Sequence, residues 1–324
     1  MNKEKKRPIG LSLAALLLVL VVLFCALMIV GSCLSYKQTE PERVSRTVVH
    51  DGVEYFPRQD MDVLLVMGID KEGVVEESNS YNNDGATDAL ILVILDHGQR
   101  KVRLLNINRD TMTQVPVLGI GGKQAGTIKQ QIALAHTYGS GLEDSCENTR
   151  AAVSELLGDV RIDYYVAVHL DAIAIVNDAV GGVTVEVTDD FNASDAKIPM
   201  GEVTLQGQQA IDYVRYRKNV GDELNLSRMQ RQQVYMDSFF AALHEKMEDS
   251  SAFAYDTYDR ISEYMVTDCS ATVMSSMLER YGDYELDEIY TLAGENRVGE
   301  EFMEFHPDEE ALQDLVLELF YAPK

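Results

Sequence analysis

Residues 163–187 read DYYVAVHLDAIAIVNDAVGGVTVEV. Asp163–Leu170 is a nearly unbroken apolar run of strand length. Leu170–Val180 then carries a helical pattern that stops at Gly181-Gly182, and Val183–Val187 returns to a strand pattern. Three earlier runs resemble the first: Val63–Met67, Ala89–Leu95 (ALILVIL) and Val102–Ile107. A strand that is apolar at every position is covered on both faces. Helical patterns at Lys129–Tyr138 and Asn148–Leu157 lie between such strands. This interleaving predicts an α/β fold, an α-β-α sandwich around a central mixed sheet.

Outward from this core, the chain of 324 residues allows one large or two small domains. The core is expected over 60–245. Residues 246–324 are strongly acidic, with apolar residues at helical spacing near 261–281 and 309–320, and predict an acidic helical extension. On the other side, residues 35–59 carry Pro41 and Pro57 and read as a juxtamembrane linker. A short hairpin is expected in it at Thr47–Tyr55, around Asp51-Gly52.

The N-terminus predicts a membrane anchor. Residues 3–7 read KEKKR, and no charged residue occurs from Pro8 to Tyr36. Ile9–Val30 extends about 33 Å as a helix, enough for a hydrocarbon core of about 30 Å. The expectation is a transmembrane helix over 9–34, with residues 1–8 in the cytoplasm and the rest exported, because the basic flank stays inside. Val30-Gly31-Ser32-Cys33 loosely resembles a lipoprotein cleavage box, so lipidation of Cys33 is an alternative anchor.

Composition excludes several classes. With 53 acidic against 28 basic residues, a net charge of −25, the chain lacks the basic footprint of a nucleic-acid binder. Its four cysteines form no CxxC pair, which removes zinc ribbons and thioredoxin-type redox sites. No HExxH, P-loop or G-x-S-x-G is present, and Gly119–Gly126 reads as a flexible turn. Cys146 and Cys269 are the two cysteines of the exported part and are candidates for a disulfide.

Ligands of open α/β sheets bind at strand carboxyl ends. There, strand 63–67 runs into Gly68-Ile69-Asp70, strand 102–107 into Asn108-Arg109-Asp110-Thr111, and the polar loop 71–87 delivers Thr87-Asp88. A second constellation holds Arg215, Arg217, Arg228, Arg231 and Gln232, a local excess of arginine in an anionic chain. Positions 215 and 217 share a face if that stretch is extended. Residues 226–247 read as an amphipathic helix, with Asn225 or Ser227 as cap. Arginine forks match phosphate oxygens, and Mg²⁺ takes one or two carboxylates with the rest of its shell from phosphate and water. The pattern fits a pyrophosphate held by arginines beside a metal. Its bland counterpart is a set of surface ion pairs with Asp212, Asp222 and Glu223.

The succession GID (68–70), TDALILVILD (87–96), LLNINRDT (104–111), ALAHTYG (133–139), LQGQQAIDYVRYR (205–217) and SRMQRQQ (227–233), with residues 162–183 between, resembles the LytR-CpsA-Psr family. The resemblance implies a cell-envelope phosphotransferase, membrane-anchored with an extracytoplasmic catalytic domain. Such proteins move an anionic glycopolymer, a teichoic acid or a wall or capsular polysaccharide, from a polyprenyl-pyrophosphate carrier to peptidoglycan through a phosphodiester. It implies Mg²⁺ (or Mn²⁺) on Asp70 and Asp88, and pyrophosphate on Arg109, Arg215, Arg217, Arg228 and Gln232, with Arg231 adjacent. Asp88 and Asp110 are candidates for the general base. One departure is Ala86, where the family carries an arginine. The non-enzymatic alternative is a membrane-anchored polyprenyl-lipid-binding regulator. A third reading is a pyrophosphatase that uses water as acceptor.

Overall fold

The computed structural model describes residues 47–324 except 81–82, 120–121, 192–193, 217–219, 221–229, 232–233, 236, 240, 244, 247–252, 270–283 and 301. The expected transmembrane segment, Cys33, Arg217, Arg228 and Gln232 lie outside these residues. Among the described residues no helix is long and apolar enough to cross a membrane.

Three strands form the centre of the main sheet: β3 (Met61–Ile69), β4 (Thr87–Asp96) and β5 (Lys101–Ile107), paired antiparallel in that order. On one side β8 (Tyr164–His169) runs parallel to β3, followed by antiparallel β11 (Met265–Thr267). On the other side β12 (Glu285–Thr291) runs parallel to β5. The result is a six-stranded mixed sheet in the order β11-β8-β3-β4-β5-β12.

Side chains alternate between its faces. Leu64, Val66, Ala89, Ile91, Val93 and Leu104 pack on one side. They meet Ile173 and Val176 of α2 (Asp171–Ala179), Ile211 and Val214 of α3 (Gln208–Arg215), and Tyr235 and Phe239. Val63, Leu65, Met67, Leu90, Leu92 and Ile94 pack on the other side, against Cys146 and Val153 of α1 (Glu143–Leu156) and Val316, Leu317 and Phe320 of α5 (Glu309–Phe320). Each such side chain contributes about 1.5–3 kcal/mol by leaving water. Helices on both faces of a mixed sheet make the expected α-β-α sandwich.

Smaller hairpins surround it. β1 (Val48–His50) and β2 (Val53–Pro57) turn at Asp51 (φ 49°) and Gly52 (φ 77°), the left-handed pair that a two-residue hairpin favours. β6 (Met112–Leu118) pairs with β7 (Gln124–Gln131), β9 (Val183–Val187) with β10 (Gly201–Leu205), and β13 (Gly294–Val298) with β14 (Met303–Pro307). At the α2–β9 turn Gly182 has φ 90°, and a Cβ there would stand 2.8 Å from Leu205 O. A glycine is therefore required where that helix stops.

Several expectations change. Lys129–Tyr138 is helical only in part: Lys129–Gln131 belong to β7, and Ile132–Thr137 forms a 3-10 helix. The tract 119–126 supplies both the hairpin turn and the first residues of β7. Residues 35–59 are not all linker, since β2 pairs with β15 (Tyr321–Pro323) at the far end of the chain. Among the described residues the acidic region carries strands as well as the helices α4 (Phe253–Ile261) and α5, and most of the expected helical stretch 261–281 lies outside them. Its strand β12 covers the edge of β5, which would otherwise present unpaired N–H and C=O groups. Cys146 and Cys269 are buried in the apolar layers on opposite faces of the sheet and are not joined to each other, so the candidate disulfide is absent.

Candidate functional site

The strand directions bring the carboxyl ends of β3, β5 and β8 and the start of β4 to one edge. Ile69 pairs with Thr87 and with His169, and Leu90 pairs with Ile107. Gly68 pairs with Ala89 while Ile69 pairs with Thr87, so Asp88 is the extra residue of a bulge. A bulge re-aims its side chain at a sheet edge. Asp70 follows immediately, its N–H donating to Ala86 O at 3.0 Å.

The Asn108–Thr111 turn is built by its own side chains. Asn108 Oδ1 accepts from Asp110 N at 2.9 Å, and Thr111 Oγ1 donates to Asn108 O at 2.6 Å. The 3-10 turn fastens it from below, Ile132 N donating to Thr111 O at 2.8 Å and Ala133 N to Arg109 O at 3.1 Å. The Arg109 guanidinium is thereby aimed across the sheet edge. Its Nη1 bonds the Asp88 carboxylate, and its Nε lies 3.7 Å from Asp110 Oδ1. Burial pushes the Asp110 carboxyl above the usual carboxylate range, and the charge of Arg109 opposes the rise.

Arg215 arrives from the opposite side. The stretch QQAIDYVR buries Ala210, Ile211, Tyr213 and Val214 in the sheet-facing layer, which makes it helical rather than extended. Its last residue, Arg215, donates from Nη2 to Asp70 Oδ1 at 2.9 Å and stands 3.8 Å from Glu72. Asp70 and Asp88 thus each meet one arginine at the same sheet edge. Both carboxylates and both guanidiniums keep between about a quarter and two fifths of their surface in solvent.

Arg231 occupies a different environment from the one expected for a phosphate ligand. It is 3 % exposed, donates from Nε to Tyr213 O at 2.9 Å, and binds Tyr216 O and Asp189 through its Nη atoms. Its guanidinium lies 5.3 Å from the Phe191 ring centre. It ties down the chain on either side of Arg215.

Residues 71–80 and 83–86, between Asp70 and Asp88, are tied to the core at both ends. Gly73 N donates to Asp171 Oδ2 at 2.6 Å, Val75 N to Glu263 O at 2.7 Å, and His169 Nδ1 to Gly73 O at 2.9 Å. At the far end buried Asn83 donates to His136 O at 2.8 Å, and His136 Nδ1 donates to Gly85 O at 2.8 Å. Burial holds the His136 imidazole down at about 4 and that of His169 below its ordinary value. Lys71 Nζ pairs with Asp84 at 3.3 Å. His136 stands in the motif ALAHTYG, whereas Lys71, Asn83 and Gln131 carry no motif. Gln131, which donates to Asp110 Oδ1 at 3.0 Å, was hidden by the helical reading of its segment.

Among the described residues no cluster of three or more His, Cys, Asp or Glu forms a metal cage. The donor set is two carboxylates on one edge. That suits a hard divalent cation that completes its shell from phosphate and water, and does not suit a metal held by protein alone.

A protein of Bacillus licheniformis named polyisoprenyl-teichoic acid–peptidoglycan teichoic acid transferase TagU is 28% identical over 177 residues, 55% of this chain and 51% of its own. The chain spans about half the length of this relative and of its Bacillus subtilis counterpart. The crystal structure of B. subtilis TagV superposes with a TM-score of 0.56 at 26% identity, covering 81% of this chain and 96% of TagV. A structure of TagT bound to LI-WTA shares the fold, with a TM-score of 0.54 at 22% identity over 81% of this chain and 90% of TagT. Residues 32–319 match the model of the LytR_cpsA_psr family, and the chain belongs to that family.

Proposed function

We propose that this chain is a membrane-anchored phosphotransferase of the cell envelope. It moves an anionic glycopolymer, of the teichoic acid or wall-polysaccharide kind, from a polyprenyl-pyrophosphate carrier to peptidoglycan. The observation that carries the reading is the pair of couples Arg109–Asp88 and Arg215–Asp70 at one sheet edge. A diphosphate accompanied by a divalent cation matches both halves of each couple at once. The guanidiniums exchange carboxylate oxygens for phosphate oxygens, and the carboxylates become free for the cation. Asp70 and Asp88 would hold Mg²⁺ (or Mn²⁺), whose chemistry is to neutralise charge on the phosphates.

In the reaction, a sugar hydroxyl of the acceptor attacks the sugar-linked phosphorus. A new P–O bond forms, the P–O bond to the carrier breaks, and polyprenyl phosphate leaves. Arg109 and Arg215 stabilise charge that grows on the transferred and departing phosphates, the dominant contribution in this class of transfer. Arg217, Arg228 and Gln232 join them as further phosphate ligands, while Arg231 acts through the backbone it anchors. Asp110 takes the hydroxyl proton. Asp88 is the poorer base because it is committed to Arg109 and the cation, whereas the raised pKa of Asp110 favours proton acceptance. The apolar carrier lies along the layer where Ala89, Ile91 and Val93 face Ala172, Ile173 and Val176. Residues 9–34 anchor the chain, with the N-terminus in the cytoplasm and the catalytic domain outside.

The test is to incubate the purified protein with a polyprenyl-pyrophosphate-linked sugar, Mg²⁺ and peptidoglycan oligomers. A phosphodiester-linked product supports the proposal. Tight lipid binding without turnover points to a scaffold or regulator. Sugar phosphate released without any glycan acceptor points to a pyrophosphatase.

A further inference from the structure

Gln131 is the last residue of β7 and has one side-chain amide nitrogen with two acceptors. Nε2 donates to Asp110 Oδ1 at 3.0 Å and to the main-chain oxygen of Met303, at the start of β14, at 2.7 Å. A carboxylate and a carbonyl both only accept. The reverse amide orientation would set Oε1 against two lone-pair donors, so the hydrogen-bond pattern fixes the orientation. The same junction is closed by main chain: Phe305 N donates to Asp110 O at 2.8 Å, and Thr111 bridges to Phe305. Two hairpins distant in sequence, β6–β7 and β13–β14, therefore meet at Asp110 and Gln131, the first bonding the carboxylate and the second holding Gln131 and the Asp110 main chain.

The hydrogen bond from Gln131 falls on Oδ1, and Arg109 Nε stands 3.7 Å from the same oxygen. Among the described residues no hydrogen bond is donated to Oδ2. The charged groups around it are few. Arg109 adjoins it and reaches Asp88 on β4. Glu304 and His306 flank Phe305 on β14 and pair with each other at 2.8 Å. Lys129 shares the face of Gln131 along β7.

We propose that Gln131 is a positioning residue for the transfer reaction: held by the Met303 carbonyl, it fixes Asp110 by Oδ1 so that Oδ2 is presented to the acceptor hydroxyl. The inference rests on the reading of Asp110 as general base. It gives the C-terminal hairpin a part in the chemistry without contact to substrate. A neutral donor bonded to the charged form of an acid favours that form, and replacing it with a charge of either sign moves the acid in opposite directions.

The experiment is the pH–rate profile of transfer by the full-length protein in its Gln131→Ala, Gln131→Glu and Gln131→Lys variants, with Asp110→Asn alongside. Loss of the donor in Gln131→Ala is expected to move the acidic limb up by about half to one pH unit. Gln131→Glu is expected to move it further up, and Gln131→Lys to move it down. A role in folding alone leaves the limb at one pH in all three, whatever happens to their melting temperatures. That result, together with loss of the acidic limb and of about a hundredfold or more of the rate in Asp110→Asn, overturns the inference and leaves the base assignment standing. Retention of the wild-type rate and limb by Asp110→Asn overturns the base assignment and the inference with it.

Discussion

Arg215 and Asp70 meet at 2.9 Å across 145 residues of chain, and both stand at the ends of regular elements. Asp70 follows β3 directly, and Arg215 is the last residue of α3. The sandwich makes this meeting unavoidable once α3 packs its apolar face on the sheet. The neighbouring couple, Arg109 and Asp88, arises in the same way from a strand end and a bulge.

Arg109→Ala is expected to lower the transfer rate by about a hundred- to a thousandfold, the usual cost of losing one donor to developing charge. The side chain is partly exposed and its loop is held by backbone and Asn108 contacts, so folding is expected to be intact. Steady-state kinetics with circular dichroism checks both halves. Full activity in a folded variant would show that the phosphate clamp lies elsewhere.

Asp88→Ala is expected to raise the Mg²⁺ concentration needed for half-maximal activity at least tenfold, and Asp70→Ala to do the same, because each removes one of two proposed carboxylate ligands. Metal titration of the rate measures this. An unchanged Mg²⁺ requirement in both variants argues against the ligand assignment.

Arg231→Met separates structure from catalysis. Its removal leaves Asp189 without its buried partner and frees two carbonyls, at a cost of about 3–5 kcal/mol. The melting temperature should fall while activity, measured below the new transition, persists. A variant that folds as well as wild type but loses pyrophosphate binding would make Arg231 a ligand.

Acid stability follows from His136. Burial keeps its pKa at about 4 in the folded protein, against 6.5 for the free side chain. Below pH 6.5 the unfolded chain binds the proton that the folded chain refuses, so stability is full above that pH and declines as pH falls toward 4. The slope contributed approaches about 1.4 kcal/mol per pH unit. In denaturant titrations at pH 7 and pH 5, His136→Gln should show a smaller loss on acidification than wild type. An equal loss would place the effect on other groups.

Much of the fold was legible because β3, β4, β5 and β8 are buried on both faces and so read as continuous apolar runs. β7 (QAGTIKQQ) was not, since its first six residues are exposed and leave no alternation to detect. β12 (ELDEIYT) hid among acidic residues because an edge strand is selected by backbone pairing more than by burial. At the site, Asp70, Asp88, Arg109 and Asp110 were marked by their places after or before apolar strands. Arg231 is buried, and no local pattern in its arginine-rich stretch separates a structural guanidinium from a phosphate ligand. The Gln131–Asp110 contact was out of reach for another reason: it exists only because β7 pairs with β6, which sets Gln131 opposite Met112, two residues after Asp110.

In the proposed site, arginines from separate elements hold a diphosphate beside a divalent ion. Calorimetric titration of the protein with farnesyl pyrophosphate, with and without Mg²⁺, tests it most directly in wild type, Arg109→Ala and Arg215→Ala. Mg²⁺ is expected to tighten wild-type binding, and each variant to lose about tenfold or more in affinity, about 1.4 kcal/mol. Equal affinity in all three proteins, indifferent to Mg²⁺, would contradict it.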